Sequence, residues 1–166
     1  MATVTLRGNP IHTSGELPAV GSQAPDFTVT GGDLSDVTLD KFAGKNLILN
    51  IYPSVDTPTC AASTRAFNEK AAGRDDTVVL CVSQDLPFAF SRFCGAEGIE
   101  NVETGSVFRS SFLQDYGVEL VDGPLRGLAA RAVVVVDPEG RVKYTELVPE
   151  IGQEPDYDSA LAALAS

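Results

Sequence analysis

Asn50-Ile51-Tyr52-Pro53-Ser54-Val55-Asp56-Thr57-Pro58-Thr59-Cys60 is the stretch around which the rest of the chain is organised. It overlaps an apolar, branched run, Leu47-Ile48-Leu49-Asn50-Ile51-Tyr52, with the composition of a buried strand. Beyond it, Ala61 to Gly73 is rich in helix formers and ends on a glycine. The junction carries helix-start chemistry. Pro58 suits the first helical position, because its missing N–H would be unpaired there anyway. Thr57 is then the N-cap, its side-chain oxygen expected to accept from the N–H of the second or third helical residue. Cys60 falls at the third helical position, where a capping box would hold Glu or Gln. A thiol sits where the helix favours an anion.

Magnitudes limit what that placement does. A free cysteine of pKa ~8.5 is only about 3% thiolate at neutral pH. Bringing such a group to ~6 takes roughly 3.4 kcal/mol of preference for the anion. A helix N-terminus supplies about 0.3–1 kcal/mol, and about 2 in good geometry. A reactive Cys60 therefore needs an Arg or Lys that folds back onto it.

The pattern Pro53-x-x-x-Thr57-x-x-Cys60 resembles the active-site motif of the peroxiredoxins. The fuller string from Pro53 to Asn68, Pro-Ser-x-Asp-Thr-Pro-x-Cys-x-x-Ser-x-Arg-x-Phe-Asn, is similar to that of their bacterial thiol peroxidase branch. Gly21-Ser22-Gln23-Ala24-Pro25-Asp26-Phe27 matches a segment found near the start of many peroxiredoxins. Local sequence alone leaves open a structural cysteine behind a Thr-Pro cap; the extended string weighs against it.

At 166 residues the chain fits one domain, residues 1–166, with a sizeable core. The net charge of −11 argues against nucleic acid or an anionic membrane surface as partner. No run reaches transmembrane length, and residues 1–20 lack a basic region followed by an apolar one, so a cytoplasmic location is expected. Three cysteines there point to catalysis or metal binding rather than a disulfide framework. Zinc would need four ligands, and no C-x-x-C spacing occurs. The same absence argues against a thioredoxin-type oxidoreductase. His12, the only histidine, lies far from Cys60 in sequence, so a Cys–His hydrolase has no support.

Residues 1–20 alternate weakly and turn at Gly8-Asn9-Pro10, which reads as an N-terminal hairpin. Thr28-Val29-Thr30, a Gly31-Gly32 turn and Val37-Thr38-Leu39 follow. After the central strand and helix come a buried strand at Thr77–Ser83 and a helix from about Pro87 to Ala96. Asn101–Thr104 reads as a short strand and Val107–Tyr116 as a helix stopped by Gly117. Ala132–Val136, turned by Asp137-Pro138-Glu139-Gly140 into Arg141–Val148, reads as a β-hairpin. Asp158–Leu164 is a terminal helix capped by Asp156 or Asp158. Strands alternating with helices, then a closing hairpin, predict an α/β protein with a central mixed sheet flanked by helices. The resemblance implies the thioredoxin-like fold with an N-terminal hairpin extension.

Helical spacing aligns Cys60 with Thr64, Phe67 and Ala71, the face that packs on the sheet, so the thiol is expected shielded at the floor of a pocket. Cys94 lies near the end of its helix, where the dipole disfavours an anion. Cys81, alternating with Val79 and Ser83 in an apolar strand, reads as a small core residue. Arg131 opens a buried run and needs a partner. Arg65 reads as a helix-surface residue.

The resemblance assigns the roles. Cys60 would be the peroxidatic cysteine, and Arg131 the cation that meets it. Thr57 would position the peroxide and Pro53 would shield the thiolate. The segment Ser91–Cys94 with Glu97-Gly98-Ile99 is similar to the resolving-cysteine segment, making Cys94 the resolver of an atypical two-cysteine enzyme; a helix packing Phe90, Phe93 and Cys94 as core is the plainer alternative. The family also implies hydrogen peroxide and alkyl hydroperoxides as substrates, thioredoxin as reductant, a homodimer, and no metal or organic cofactor. A peroxide-sensing switch and an inert domain of the same fold are the rival readings.

Overall fold

The computed structural model describes residues 1–71 and 74–165. Along the chain run β1 (Thr3–Leu6), β2 (Asn9–His12), β3 (Thr28–Thr30), β4 (Asp36–Thr38) and β5 (Asn46–Ile51). Then come α1 (Pro58–Lys70), β6 (Thr77–Ser83), α2 (Pro87–Glu97), β7 (Glu103–Ser106) and α3 (Phe112–Asp115). The chain closes with β8 (Ala132–Val136), β9 (Val142–Leu147) and α4 (Tyr157–Ala162). β1 and β2 pair as a separate hairpin, and the other strands form a seven-stranded sheet in the order β4-β3-β7-β6-β5-β8-β9. The β5–β6 and β6–β7 pairs are parallel, while β5–β8, β8–β9, β3–β7 and β3–β4 are antiparallel. This is a mixed α/β sheet of the thioredoxin-like kind.

Because strand side chains alternate between faces, each central strand divides its apolar residues between two cores. Leu47, Leu49 and Ile51 of β5, Leu80 and Val82 of β6, and Ala132 and Val134 of β8 join one core with Phe27, Phe112 and Tyr116. Ile48, Val79, Cys81, Val133 and Val135 join the other, with Cys60 and Phe67 of α1, Phe90 and Phe93 of α2, and Ala160 of α4. Alternation also decides where Arg131 goes. It precedes Ala132, so it shares the face of Val133 and Val135, the face covered by α1. Ala132 pairs with Ile51, which sets Arg131 beside the exit of β5, where α1 begins.

Several boundaries differ from the sequence expectation, each for a local reason. The helix expected over Val107–Tyr116 shrinks to α3. Val107 N–H donates to the Ser83 carbonyl (2.9 Å) and Phe112 N–H to Ser110 Oγ (3.1 Å), so sheet and serine side chain take the donors a helix needs. Gly117 ends it with φ +70, where a Cβ would lie 2.3 Å from the Glu16 backbone. The strand expected at Asn101–Thr104 begins instead at Glu103, because Asn101 N–H is held by Asn68 Oδ1 of α1 (2.8 Å). The first hairpin turns at Arg7-Gly8 (φ 52 and 83), one residue earlier than expected, and Asn9 and Pro10 already belong to β2. α1 reaches Lys70 with Ala71 as C-cap; the glycine stop expected at Gly73 lies outside the described residues. α2 ends on Gly98, whose left-handed φ of 66 lets its N–H reach the Cys94 carbonyl. Asp156, not Asp158, caps α4, accepting from Ser159 N–H (3.1 Å). Among the described residues, no helix is long and apolar enough to cross a membrane.

Candidate active site

The segment between β5 and α1 is held by one carboxylate. Asp85, just past the end of β6, accepts from Ser54 Oγ (2.7 Å), from the Val55 N–H (2.7 Å) and from Ser83 Oγ. Pro53 and Val55 are buried. Thr57 occupies the N-cap position with extended backbone, but its side chain caps nothing. The Thr57 hydroxyl donates backward to the Ser54 carbonyl (2.9 Å), the same oxygen that takes the Thr57 N–H (3.1 Å). The capping bond expected from the sequence is absent because the loop's own carbonyl claims the hydroxyl. The amides of the first turn, that of Cys60 included, keep no side-chain cap.

Cys60, Thr64 and Phe67 are at most 1% exposed and face the sheet, with Ala71 behind them. The thiol is shielded as expected, yet the surface hollow at the start of α1, lined by Val55, Thr57, Ala61 and Phe93, does not include it. Its first turn is tied down through its carbonyl: Ser63 Oγ donates to Cys60 O (2.9 Å) and Thr64 Oγ1 lies 3.0 Å from the same atom. Asn50 Nδ2 in turn donates to Ser63 Oγ (3.2 Å), and the Tyr52 hydroxyl lies 3.0 Å from Thr64 Oγ1.

Arg131, 2% exposed, points Nη2 at Cys60 Sγ (3.2 Å). Its Nε donates to the Ile151 carbonyl (2.8 Å), and its Nη1 is buried without a partner. Among the described residues no carboxylate forms an ion pair with it. A buried guanidinium costs several kcal/mol, to order of magnitude, unless an anion or well-placed acceptors face it. The sulfur of Cys60 is what faces this one.

Cys94 is half-buried in the last turns of α2, and burial raises its thiol pKa. It opens on a different hollow of about 340 Å³, between α2, the start of β7 and the β3–β4 turn, with Phe90, Ile99, Val102 and Gly32 around it. All three cysteines are free thiols. Cys81 is fully buried in the core, and burial pushes its thiol up to about 12. Arg65 is a surface residue paired with Glu97 of α2, and Arg92 of α2 pairs with Asp56 of the loop. His12 pairs with Asp122 in the hairpin region (2.7 Å), away from this cluster.

The geometry thus brings Cys60 and Arg131 together, sets Thr57 at the N-cap of the helix that carries Cys60, buries Pro53 in the loop before it, and opens Cys94 on a different hollow. Sequence reasoning missed Asp85 and the Ile151 carbonyl. Asp85 carried a readable signal, a carboxylate at the carboxyl end of a buried strand, where sites of open α/β sheets gather. A main-chain carbonyl carries none.

Comparison with known proteins identifies the family. The Redoxin family matches residues 19–161. A thiol peroxidase of Mycobacterium tuberculosis is 64% identical over 166 residues, all of both chains. One of Corynebacterium glutamicum is 56% identical over 164 residues, covering 99% of each. Among solved structures, a peroxiredoxin-like protein of Aquifex aeolicus superposes with TM-score 0.94 at 41% identity, covering 99% of this chain and 96% of its own. The chain belongs to the Redoxin family and, within it, to the bacterial thiol peroxidases of the peroxiredoxin superfamily.

Proposed function

We propose that this thiol peroxidase reduces hydrogen peroxide and alkyl hydroperoxides at Cys60, resolves the product through Cys94, and is recycled by thioredoxin. The observation that carries the reading is the buried Arg131, whose Nη2 meets Cys60 Sγ at 3.2 Å while Nη1 stays unpartnered. A thiolate neutralises the guanidinium, and the free N–H is a ready donor for a peroxide oxygen. The uncapped amide of Cys60 is a second such donor. Thr57 has spent its proton on Ser54 and can only accept, which suits the O–H of a hydroperoxide. The thiolate attacks the distal oxygen. The O–O bond breaks, the sulfur becomes a sulfenic acid, and the leaving oxygen takes a proton as water or alcohol. The Cys94 thiol then attacks the Cys60 sulfur, forming the S–S bond and releasing water. The dithiol of thioredoxin reduces that disulfide and restores both thiols. Pro53 shields the thiolate from bulk water. We assign the cycle to the cytoplasm and to a homodimer; resemblance to the family supports both, and light scattering tests the dimer.

Steady-state turnover of hydrogen peroxide and of an alkyl hydroperoxide with thioredoxin tests the reading. Wild type should turn over many times, Cys60→Ser not at all, and Cys94→Ser should stop after one equivalent of peroxide. Stoichiometric oxidation of wild type without turnover would make the protein a peroxide sensor instead.

A further inference from the structure

Arg131 is aimed at Cys60 by a loop, and that loop is held from the other end of the chain. The guanidinium Nε hangs on the Ile151 carbonyl (2.8 Å), and Thr59, the neighbour of Cys60, donates its hydroxyl to the Gly152 carbonyl (3.0 Å). The main-chain positions of Ile151 and Gly152 therefore set both sides of the thiol–guanidinium pair. Neither belongs to a helix or a strand. What fixes them is the N-terminal hairpin. Thr5 N–H donates to the Pro149 carbonyl and Ile151 N–H to the Thr5 carbonyl, both at 2.8 Å.

Glu150 sits at the centre of this junction. Its Oε1 accepts from Thr5 Oγ1 and from the Gly8 N–H, each at 3.0 Å, and its Oε2 accepts from the Gly152 N–H at 2.9 Å. One carboxylate thus clamps the hairpin turn and the peptide unit of Gly152 at once. The turn at Arg7-Gly8, with both residues at positive φ, frees the Gly8 N–H for this use. The bonds to Gly152, Gly8 and Thr5 hold its carboxyl down to about 2, so the clamp is charged throughout the neutral range.

We propose that Glu150 is a positioning residue for the peroxidase site: through the hairpin clamp it fixes the Ile151 and Gly152 carbonyls that aim Arg131 and the first turn of α1 at each other. The N-terminal hairpin is then part of the site's framework. This rests on the assignment of Cys60 and Arg131 as the reacting pair.

The test uses the full chain carrying Cys81→Ala and Cys94→Ser, so that Cys60 is the only thiol. Glu150→Ala, Glu150→Gln and Thr5→Val are compared with that parent by thiolate absorbance at 240 nm and pH 7, by the rate of oxidation by hydrogen peroxide, and by thermal melting. Loss of aim between two reacting groups costs up to about 100-fold. The expected result is a rate at least about tenfold lower in Glu150→Ala, with less 240 nm absorbance, in a protein still folded at the assay temperature. Thr5→Val, which removes one of the three donors, should fall between. A lower melting temperature with rate and absorbance unchanged would make the clamp purely structural and overturn the proposal; so would no change in any readout. If Glu150→Ala does not fold, the other two variants carry the same comparison. A parent protein that fails to react with peroxide defeats the functional assignment instead, while the absorbance comparison still reads whether Glu150 sets the Cys60 environment.

Discussion

A guanidinium that is almost wholly buried needs an anion or a full set of acceptors, and Arg131 has one carbonyl and one sulfur. On the proposed reading of Cys60 as a reactive thiolate, the helix start adds about 1–2 kcal/mol at most, which leaves the larger share of the work to Arg131. Arg131→Met keeps the volume and removes the charge. It should fold, because losing a buried cation offsets the cost of the orphaned Ile151 carbonyl, about 1–3 kcal/mol. Alkylation of Cys60 at pH 7 should slow by at least about tenfold, the equivalent of 1.4 kcal/mol. An unchanged rate would mean that some other group stabilises the thiolate. Cys81 supplies the contrast. With its thiol pushed up to about 12, chiefly by burial, its anionic fraction at pH 7 is on the order of 10⁻⁵. Mass-mapped labelling of the native protein should find Cys60 modified first, Cys94 later, and Cys81 only after denaturant. Labelling of Cys81 alongside Cys60 would contradict its place in the core.

At the scale of elements, the bonds that hold Cys60 in place also keep it from Cys94, its proposed resolver. A disulfide needs Cα atoms about 4.4–6.8 Å apart, whereas Cys60 is buried under α1 and Cys94 opens on another hollow beyond α2. Three ties link the segments: Asp85 to Ser54 and Val55, Arg92 to Asp56, and Arg65 to Glu97. The two ion pairs are exposed and worth about 0.2–1 kcal/mol each, weak enough to break in each cycle. Oxidation to a neutral sulfenic acid removes most of the attraction to Arg131, so opening the first turn then costs less. Hydrogen exchange should show residues 55–62 and 90–98 losing protection in the disulfide form while β5, β6 and β8 stay fixed. Equal protection in both forms, with the disulfide confirmed by mass, would sink the idea. The strands of that fixed core were the most legible part of the sequence. Thr77–Ser83 and Ala132–Val136 were delimited to the residue, because continuous apolar branched runs suit only a strand buried on both faces. Thr57 was placed correctly as the N-cap, but its side-chain bond and the helix over Val107–Ser111 were misread because hydroxyls there bond to nearby main chain, a competition that residue type does not decide.

Across the whole molecule, the site joins residues that only topology relates. Cys60 and Arg131 meet because β8 returns antiparallel beside β5; that Arg131 needs a partner was readable from a charge abutting a buried strand, while Cys60 as that partner came from resemblance to the peroxiredoxins. The clamp on residues 149–152 was not readable, since it joins the first ten residues to a loop more than 140 positions away through main-chain groups and the side chains of Thr5 and Glu150, which no local pattern relates. Its pH dependence follows from the sign of the Glu150 shift. The carboxyl is lowered from 4.5 to about 2 by the three donors, so folding favours the anion. That contribution is complete above pH 4.5 and is lost as the pH falls toward 2. Asp122, lowered chiefly by its bonds from His12 beside the same hairpin, has the same sign. Comparing exchange of the Thr5 and Ile151 amides in wild type and Glu150→Gln separates the two groups, since only the Glu150 contribution differs between them. Wild type should protect both amides more strongly than the variant from pH 7 down to about pH 4.5, and the difference should close as the pH nears 2. A difference that stays constant across that range would show that the hairpin is held by its backbone bonds and apolar contacts alone, with the Glu150 charge irrelevant to its docking.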